Sequence, residues 1–182
     1  MLAQPDFQQF LEAEQVEIVK MEKHDVLEWC VPPKGARLVS SKFTYKRRPG
    51  KPHKARIVVR GFSMEHNVDY LHSSSPVATS AAFRLLLAVA VTLGMDVSSG
   101  DIDGAFLNAE LSEDLDVPLY MSPPAGFQDP TGQGRAFLVK RSIYGLKNAS
   151  YCWFKTLSAV MKELGYHPID VSAVLYQSVG MR

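Results

Sequence analysis

The stretch Asp101-Ile102-Asp103-Gly104-Ala105-Phe106 sets two carboxylates two positions apart, just ahead of a glycine. On a strand, alternation would turn both acids to one side. Carboxylates so placed hold Mg²⁺, which keeps several waters and bridges substrate phosphates, while a second ion stabilises a leaving oxygen. An Asp-x-Asp pair also occurs on ordinary loops, so it decides nothing alone. In Lys54-Ala55-Arg56-Ile57-Val58-Val59-Arg60, alternation sends Lys54, Arg56, Val58 and Arg60 to one face. Cations there suit a triphosphate or a nucleic-acid backbone, and equally suit an edge strand protected from further pairing. In Ile143-Tyr144-Gly145-Leu146-Lys147-Asn148, Gly145 permits a tight turn and Lys147 sits where a helix begins. A helix N-terminus favours anions, although a plain loop-to-helix junction reads the same way.

Other chemistries are excluded by pattern. His24, His53, His66, His72 and His167 are scattered without a metal-ligating spacing and read as ordinary histidines. Cys30 and Cys152 lie far apart in no CxxC pattern, which argues for buried thiols rather than a disulfide framework or a zinc site. The sequence holds no GxxxxGK, GxGxxG or GxSxG, which removes phosphate-loop, dinucleotide-fold and serine-hydrolase readings.

The elements that must position these residues alternate between strand and helix. Pro5 and Asp6 mark a helix start, followed by Phe7, Phe10, Leu11, Glu14, Ile18 and Met21 at near-helical spacing. Residues 26–31 and 38–48 are rich in β-branched and aromatic residues and read as strands. Pro49-Gly50-Lys51-Pro52 is a turn signal and residues 53–62 are again strand-like, which predicts a hairpin over 38–62 with a basic tip. After the break at Ser73-Ser74-Ser75-Pro76, residues 81–93 are apolar almost all round, which predicts a buried helix stopping at Gly94. Residues 96–102, 117–121 and 137–140 are candidate strands, with a Pro/Gly-rich loop over 122–134. Finally, residues 150–164 place Trp153, Leu157, Val160, Met161 and Leu164 on one helix face, with Gly165 as the stop. The class is α+β or α/β, with no internal repeat.

At 182 residues, 46% hydrophobic and 21% charged, the chain can bury one sizeable core, and one domain or two small lobes is the ceiling. The net charge of +1 hides two opposed fields. Residues 29–64 hold ten Lys/Arg and no Asp or Glu; residues 85–134 hold eight acids and no Lys or Arg. A basic arm beside an acidic stretch fits a polyanion-handling surface next to a metal-binding one, and fits plain solvated surface as well. The longest apolar stretch, residues 85–95, is far shorter than the roughly 20 residues a spanning helix needs. No basic-then-apolar leader is seen, so a soluble intracellular protein without membrane partners is expected.

Taken in order, the motifs resemble the reverse transcriptase region of copia-type long-terminal-repeat retrotransposon polyproteins, over most of the chain from about Phe10 onward. They are Lys54-Ala55-Arg56-Ile57-Val58-Val59-Arg60-Gly61-Phe62, Asp69-Tyr70, Ser75-Pro76-Val77, and Asp101-Ile102-Asp103-Gly104-Ala105-Phe106-Leu107-Asn108. Then come Leu119-Tyr120-Met121 with Pro124-Ala125-Gly126-Phe127, and Tyr144-Gly145-Leu146-Lys147-Asn148-Ala149. The resemblance implies an α+β right-hand polymerase fold. It divides into an N-terminal helix region (1–25), a fingers-like basic β region (26–80, its hairpin over 38–62) and a partial palm-like region (81–182). It implies that Asp101 is a catalytic aspartate and Mg²⁺ ligand, with the Ile102 carbonyl as a further ligand, while Asp103 falls at a variable position. Phe106 is similar to the aromatic gate that excludes a ribose 2′-hydroxyl. Arg56, with Lys54, corresponds to the residues that hold the incoming triphosphate, and Gly145 and Lys147 to the motif lining the nucleotide pocket. The implied partners are deoxynucleoside triphosphates, an RNA or DNA template-primer and the remainder of the polyprotein; the implied location is a cytoplasmic particle or the nucleus.

One departure from that pattern is chemical. The family carries an aromatic-x-Asp-Asp hairpin after the palm helix, and no Asp-Asp pair occurs in this sequence. One carboxylate does not close a two-ion site. The expectation is a region of an RNA-directed DNA polymerase ending before that hairpin and inactive as an isolated piece. The alternatives are a non-catalytic nucleic-acid-binding remnant or a non-functional relic. Ala109, where the family prefers Gly, and the longer stretch 114–118 are tolerable in a loop.

Overall fold

The computed structural model describes residues 6–111, 118–127, 129, 131–169 and 176–178. Pro5 and most of the stretch 114–118 lie outside them. The class is α+β, with small sheets and three longer helices. Helix α1 (Phe7–Lys23) buries Phe10, Ala13, Glu17 and Met21, one stripe at three- and four-residue steps, and carries Lys20 and Lys23 in its last turn. Asp6 stands at its N-cap position without capping it. The carboxylate instead takes Arg47 at 2.7 Å and His53 at 3.0 Å, tying the start of the helix to the hairpin tip.

The sheet that forms the floor of the core has the order β1-β6-β5-β2, from β1 (Leu27–Cys30), β2 (Leu38–Val39), β5 (Tyr120–Met121) and β6 (Ala136–Val139). Strand β1 pairs antiparallel with β6, Leu27 opposite Val139, and β2 pairs parallel with β5, Leu38 opposite Tyr120. The basic arm is the separate hairpin β3 (Ser41–Lys46) and β4 (Lys54–Val59), with Phe43 opposite Ile57. Along β4 burial alternates: Ala55, Ile57 and Val59 are buried, while Lys54, Arg56 and Val58 are half-exposed on the other face, as period-two alternation requires. The outer edge of β4 is occupied. Glu17 Oε1 accepts the Ile57 N–H at 3.2 Å and the Tyr144 carbonyl accepts the Val59 N–H at 2.8 Å.

One cluster of buried side chains joins these parts, including Met21, Val26, Val39, Ile57, Val59, Leu107, Met121, Phe137 and Ile143. Helix α3 (Ala105–Asn108) is a single turn entered through Gly104 at φ +65°, and helix α4 (Ala149–Glu163) ends at Gly165 with φ +81°. Short strands β7 (Tyr166–Pro168) and β8 (Tyr176–Ser178) pair antiparallel after it.

Three expectations are corrected. Helix α2 (Ser80–Thr92) forms over the expected span, but it is not buried: Ala90 alone is enclosed, while Phe83, Leu85, Leu86 and Val91 are 53–81% exposed. Residues 96–102 form no strand, because Ser98, Ser99 and Gly100 are poor strand formers and β5 is already paired on both sides by β2 and β6. Without that strand, no sheet face stands ready for α2. The outer part of the α4 face stays open as well, with Val160 44% and Leu164 66% exposed. Cys152 is a buried free thiol as expected, whereas Cys30, at the end of an edge strand, is half-exposed.

Candidate functional site

Three motifs far apart in the sequence meet at Tyr144. The Arg56 guanidinium lies over its ring, 5.3 Å from the centroid, and Phe106 approaches edge-on at 6.0 Å. The backbone holds this stack in register. With the Tyr144 carbonyl bonded to the Val59 N–H, Gly145 turns at φ +89° directly against β4, where an added Cβ would strike the Val59 carbonyl and Val58 Cγ1. A Cβ on Gly61 would in turn strike the Gly145 carbonyl and stand 3.7 Å from Lys147 Cγ. The glycine of the helix-leading motif is thus needed for close approach to β4 as well as for its left-handed turn. Lys147 is exposed beside this contact, and Arg60 is exposed at the end of β4.

The electrostatics centre on β4. Arg56 has a buried Nε with no hydrogen-bond partner among the described residues. Burial, followed by repulsion from Arg56 and Lys20, pulls Lys54 below the ordinary lysine range. Burial likewise pushes the Glu17 carboxyl up, against the Ile57 N–H and the charges of Lys20, Arg56 and Lys54. Burial also raises the Tyr144 hydroxyl. Lys20 reaches across from α1 to Asp103, its Nζ 2.7 and 2.8 Å from the two carboxylate oxygens, and that hydrogen bond and charge hold Asp103 below the usual carboxylate range. A cleft of about 610 Å³ runs between α1 and β4, with Lys20, Lys54 and Asp103 among its walls.

Lys54, Arg56, Phe106 and Gly145 are therefore brought into one neighbourhood, with Lys147 at its margin. Asp101 and Ile102 stand on the exposed loop leading to Gly104, and Asp101 has no hydrogen bond or ion pair among the described residues. Asp101 and Asp103 do not act as a pair. No strand forms there, and Asp103 is turned to Lys20. Phe106 borders a second cleft of about 430 Å³, lined also by Pro76, Trp153, Leu157 and Met161, so open space lies against the aromatic ring. A hard carboxylate with no other cation on it suits a divalent ion. One carboxylate and one carbonyl do not complete a two-ion centre, and no group of three or more potential ligand side chains occurs among the described residues. No helix described is long and apolar enough to cross a membrane.

Sequence reasoning missed three contributors. Glu17 carried a signal, a carboxylate in step with Phe10, Ala13 and Met21 on the apolar stripe of α1. Tyr144 stood inside a motif without a role. Lys20 had no signal at all, since only the packing of α1 on β4 brings it to Asp103.

Comparison with known proteins agrees with the motif order. The model of the family described as reverse transcriptase (RNA-dependent DNA polymerase) matches residues 24–181. The retrovirus-related Pol polyprotein from transposon TNT 1-94 of Nicotiana tabacum is 29% identical over 170 residues, 91% of this chain and 12% of that protein. The corresponding polyprotein from transposon RE1 of Arabidopsis thaliana is 29% identical over 140 residues, 74% of this chain and 9% of its own length. The transposon Ty1-DR5 Gag-Pol polyprotein of Saccharomyces cerevisiae is also 29% identical, over 73% of this chain and 7% of its own length. The chain thus spans about an eighth or less of the relatives it matches. No solved structure matches. By motif order and family match together, the chain belongs to the reverse transcriptase (RNA-dependent DNA polymerase) family, as a copia-type retrotransposon reverse transcriptase region.

Proposed function

We propose that this chain supplies the incoming-nucleotide side of an RNA-directed DNA polymerase, with 26–80 acting as fingers, 81–182 as part of a palm, and the helix region 1–25 packed behind them. The observation that carries the reading is the Arg56–Tyr144–Phe106 stack, which joins the basic strand, the Asp101–Asn108 motif and the glycine turn. Lys54 and Arg56 hold the triphosphate. Arg56 is suited to this because its buried, unpartnered Nε and planar fork favour an anion arriving from the open side. Phe106 bounds the sugar and disfavours a 2′-hydroxyl, and Gly145 and Lys147 line the nucleotide pocket beside the hairpin.

Asp101, with the Ile102 carbonyl, is this chain's contribution to a Mg²⁺ site; when bound, the ion would neutralise charge on the transferring phosphate. The described residues do not complete that site, so no step is drawn through it. The chain alone is expected to bind nucleotide and template-primer without extending the primer. In the parent polyprotein, acting in a cytoplasmic particle or the nucleus, it would take deoxynucleoside triphosphates and an RNA or DNA template-primer.

Calorimetric titration with dTTP tests the pocket: Arg56→Ala and Lys54→Ala should each weaken binding roughly tenfold or more, and Phe106→Ala should erase the preference for dTTP over the ribonucleotide. Equal binding by all three variants would refute the assignment. Primer extension by the wild-type chain that Asp101→Ala abolishes would refute the expected lack of turnover. A second reading, nucleic-acid binding without catalysis, is favoured by exposed Lys42, Lys46, Lys51 and Arg60 on an arm without acids. It predicts steeply salt-dependent binding and no specific dTTP site.

A further inference from the structure

Lys20 lies before residue 24, where the family match begins, and yet it lines the same cleft as Lys54. Its side chain is only 19% exposed, and its position is fixed on two sides. One turn earlier on the same helix, buried Glu17 is bonded to the Ile57 N–H, which sets the rotation of α1 against β4. At the far end, Gly104 lies so close that a Cβ there would stand 3.1 Å from Lys20 Cε and 3.3 Å from Nζ. The ammonium group and the Arg56 guanidinium both act on Lys54, and all three cations act on Glu17. Such a concentration of positive charge calls for an anion; Glu17 is engaged by the Ile57 N–H, and the carboxylate that sits on Lys20 Nζ is Asp103. Its side chain is 85% exposed, and both its oxygens sit on Lys20 Nζ. An exposed carboxylate is an inexpensive one to release, because water solvates it fully once the ion pair opens.

We propose that Lys20 is a third cation of the phosphate-holding site and that Asp103 is its built-in counter-anion, displaced when a phosphate-bearing ligand enters the α1–β4 cleft. The exchange is one anion for another on Lys20, with Lys54 in the same cleft taking further phosphate oxygens and Arg56, next along the same face of β4, meeting the ligand beyond the cleft. Asp103 then competes with the ligand in the resting chain and steadies the loop that carries Asp101. The inference rests on the assignment of Lys54 and Arg56 to a triphosphate. It adds a residue outside the matched segment and a competitor for that site.

Titration of the full chain with inorganic tripolyphosphate, without metal, tests it. Asp103→Asn should tighten binding roughly two- to fivefold, the scale of an exposed ion pair. Lys20→Met should weaken binding roughly five- to tenfold, with Lys20→Arg largely restoring it. Raising the salt should shrink the Asp103→Asn gain. A merely structural tether predicts the reverse, unchanged or weaker binding in Asp103→Asn, and that result would overturn the proposal. Thermal melts confirm that each variant is folded. A parallel titration with oligothymidylate separates the sources: tightening with tripolyphosphate alone identifies a nucleotide tail, and equal tightening with both identifies backbone phosphate. If Arg56→Ala abolishes tripolyphosphate binding while Asp103→Asn and Lys20→Met change nothing, the latch fails and the pocket assignment stands. If the wild-type chain binds neither probe at millimolar concentration, both fail.

Discussion

Replacing Gly145 by alanine should be among the most damaging single-methyl changes available to this chain. Two costs combine. The residue turns at φ +89°, where an L side chain costs about 1–2 kcal/mol. The new Cβ would also meet the Val59 carbonyl and Val58 Cγ1, which belong to a paired strand and cannot swing aside. Relieving that overlap means parting the 144–146 turn from β4, at an overpacking cost of about 1–3 kcal/mol. The bond from the Val59 N–H to the Tyr144 carbonyl, 2.8 Å long, would lengthen or break, for about 1 kcal/mol more. Some 3–6 kcal/mol in all is a large share of the roughly 5–15 kcal/mol that holds a domain folded. Gly50 supplies the control, since it has φ +67° and open space around its Cβ position, so Gly50→Ala should cost only the conformational ~1–2 kcal/mol. Urea unfolding followed by Trp fluorescence should place the Gly145→Ala midpoint more than about 1 M below that of Gly50→Ala, given slopes of about 1–3 kcal/mol per molar. Equal midpoints would mean that the Gly145–β4 contact does not hold the Arg56–Tyr144–Phe106 stack in register.

Three further outcomes follow from the same geometry. Arg56→Met should leave stability within about 1 kcal/mol of wild type, because losing the ring contact is offset by removing a buried donor without a partner; a melt and a dTTP titration on one sample should show retained folding with lost binding. The raised carboxyl of Glu17 makes its stabilising contribution greatest below the ordinary value of 4.5 and loses it as pH rises through the elevated folded-state value. Glu17→Gln should accordingly raise the melting temperature at pH 7 and leave it unchanged in acid, as melts across pH would show. On α2, Leu85→Gln and Val91→Gln should each change stability by no more than about 0.5 kcal/mol while increasing solubility, since both side chains are mostly exposed; a loss of several kcal/mol in urea unfolding would mean that the helix is covered.

What could be read from the sequence was what is local. Helix α1 and the β3–β4 hairpin follow from apolar spacing and from a Pro-Gly turn, and the alternation of β4 separates Arg56 from Ile57 without any tertiary knowledge. The apolar character of α2 established a helix but not a neighbour, because composition says what a surface needs and not whether it is met. The sheet was less legible still. Strands β2 and β5 are two residues each and pair in parallel, Leu38 with Tyr120, from distant parts of the chain, and two residues carry no periodicity. In the site, the candidates from the motifs were recoverable as residue types, whereas Lys20, Glu17 and the separation of Asp101 from Asp103 depend on how α1 rotates against β4 and on a strand that does not form.

The pairing of Leu27 with Val139 also fixes an order of events during synthesis. At about 5–20 residues per second, β1 leaves the ribosome roughly 5–20 s before the strand that will cover it. The β3–β4 hairpin closes on a microsecond scale and has α1 already at hand, so the cationic arm is complete while the floor of the core is still being translated. Through that interval Trp29 and its neighbours on β1 are an unpaired apolar edge. Nascent chains stalled before residue 136 should therefore carry a paired cationic hairpin, still without Tyr144 on its outer edge, beside an open sheet, the species on which chaperones and proteases would act first.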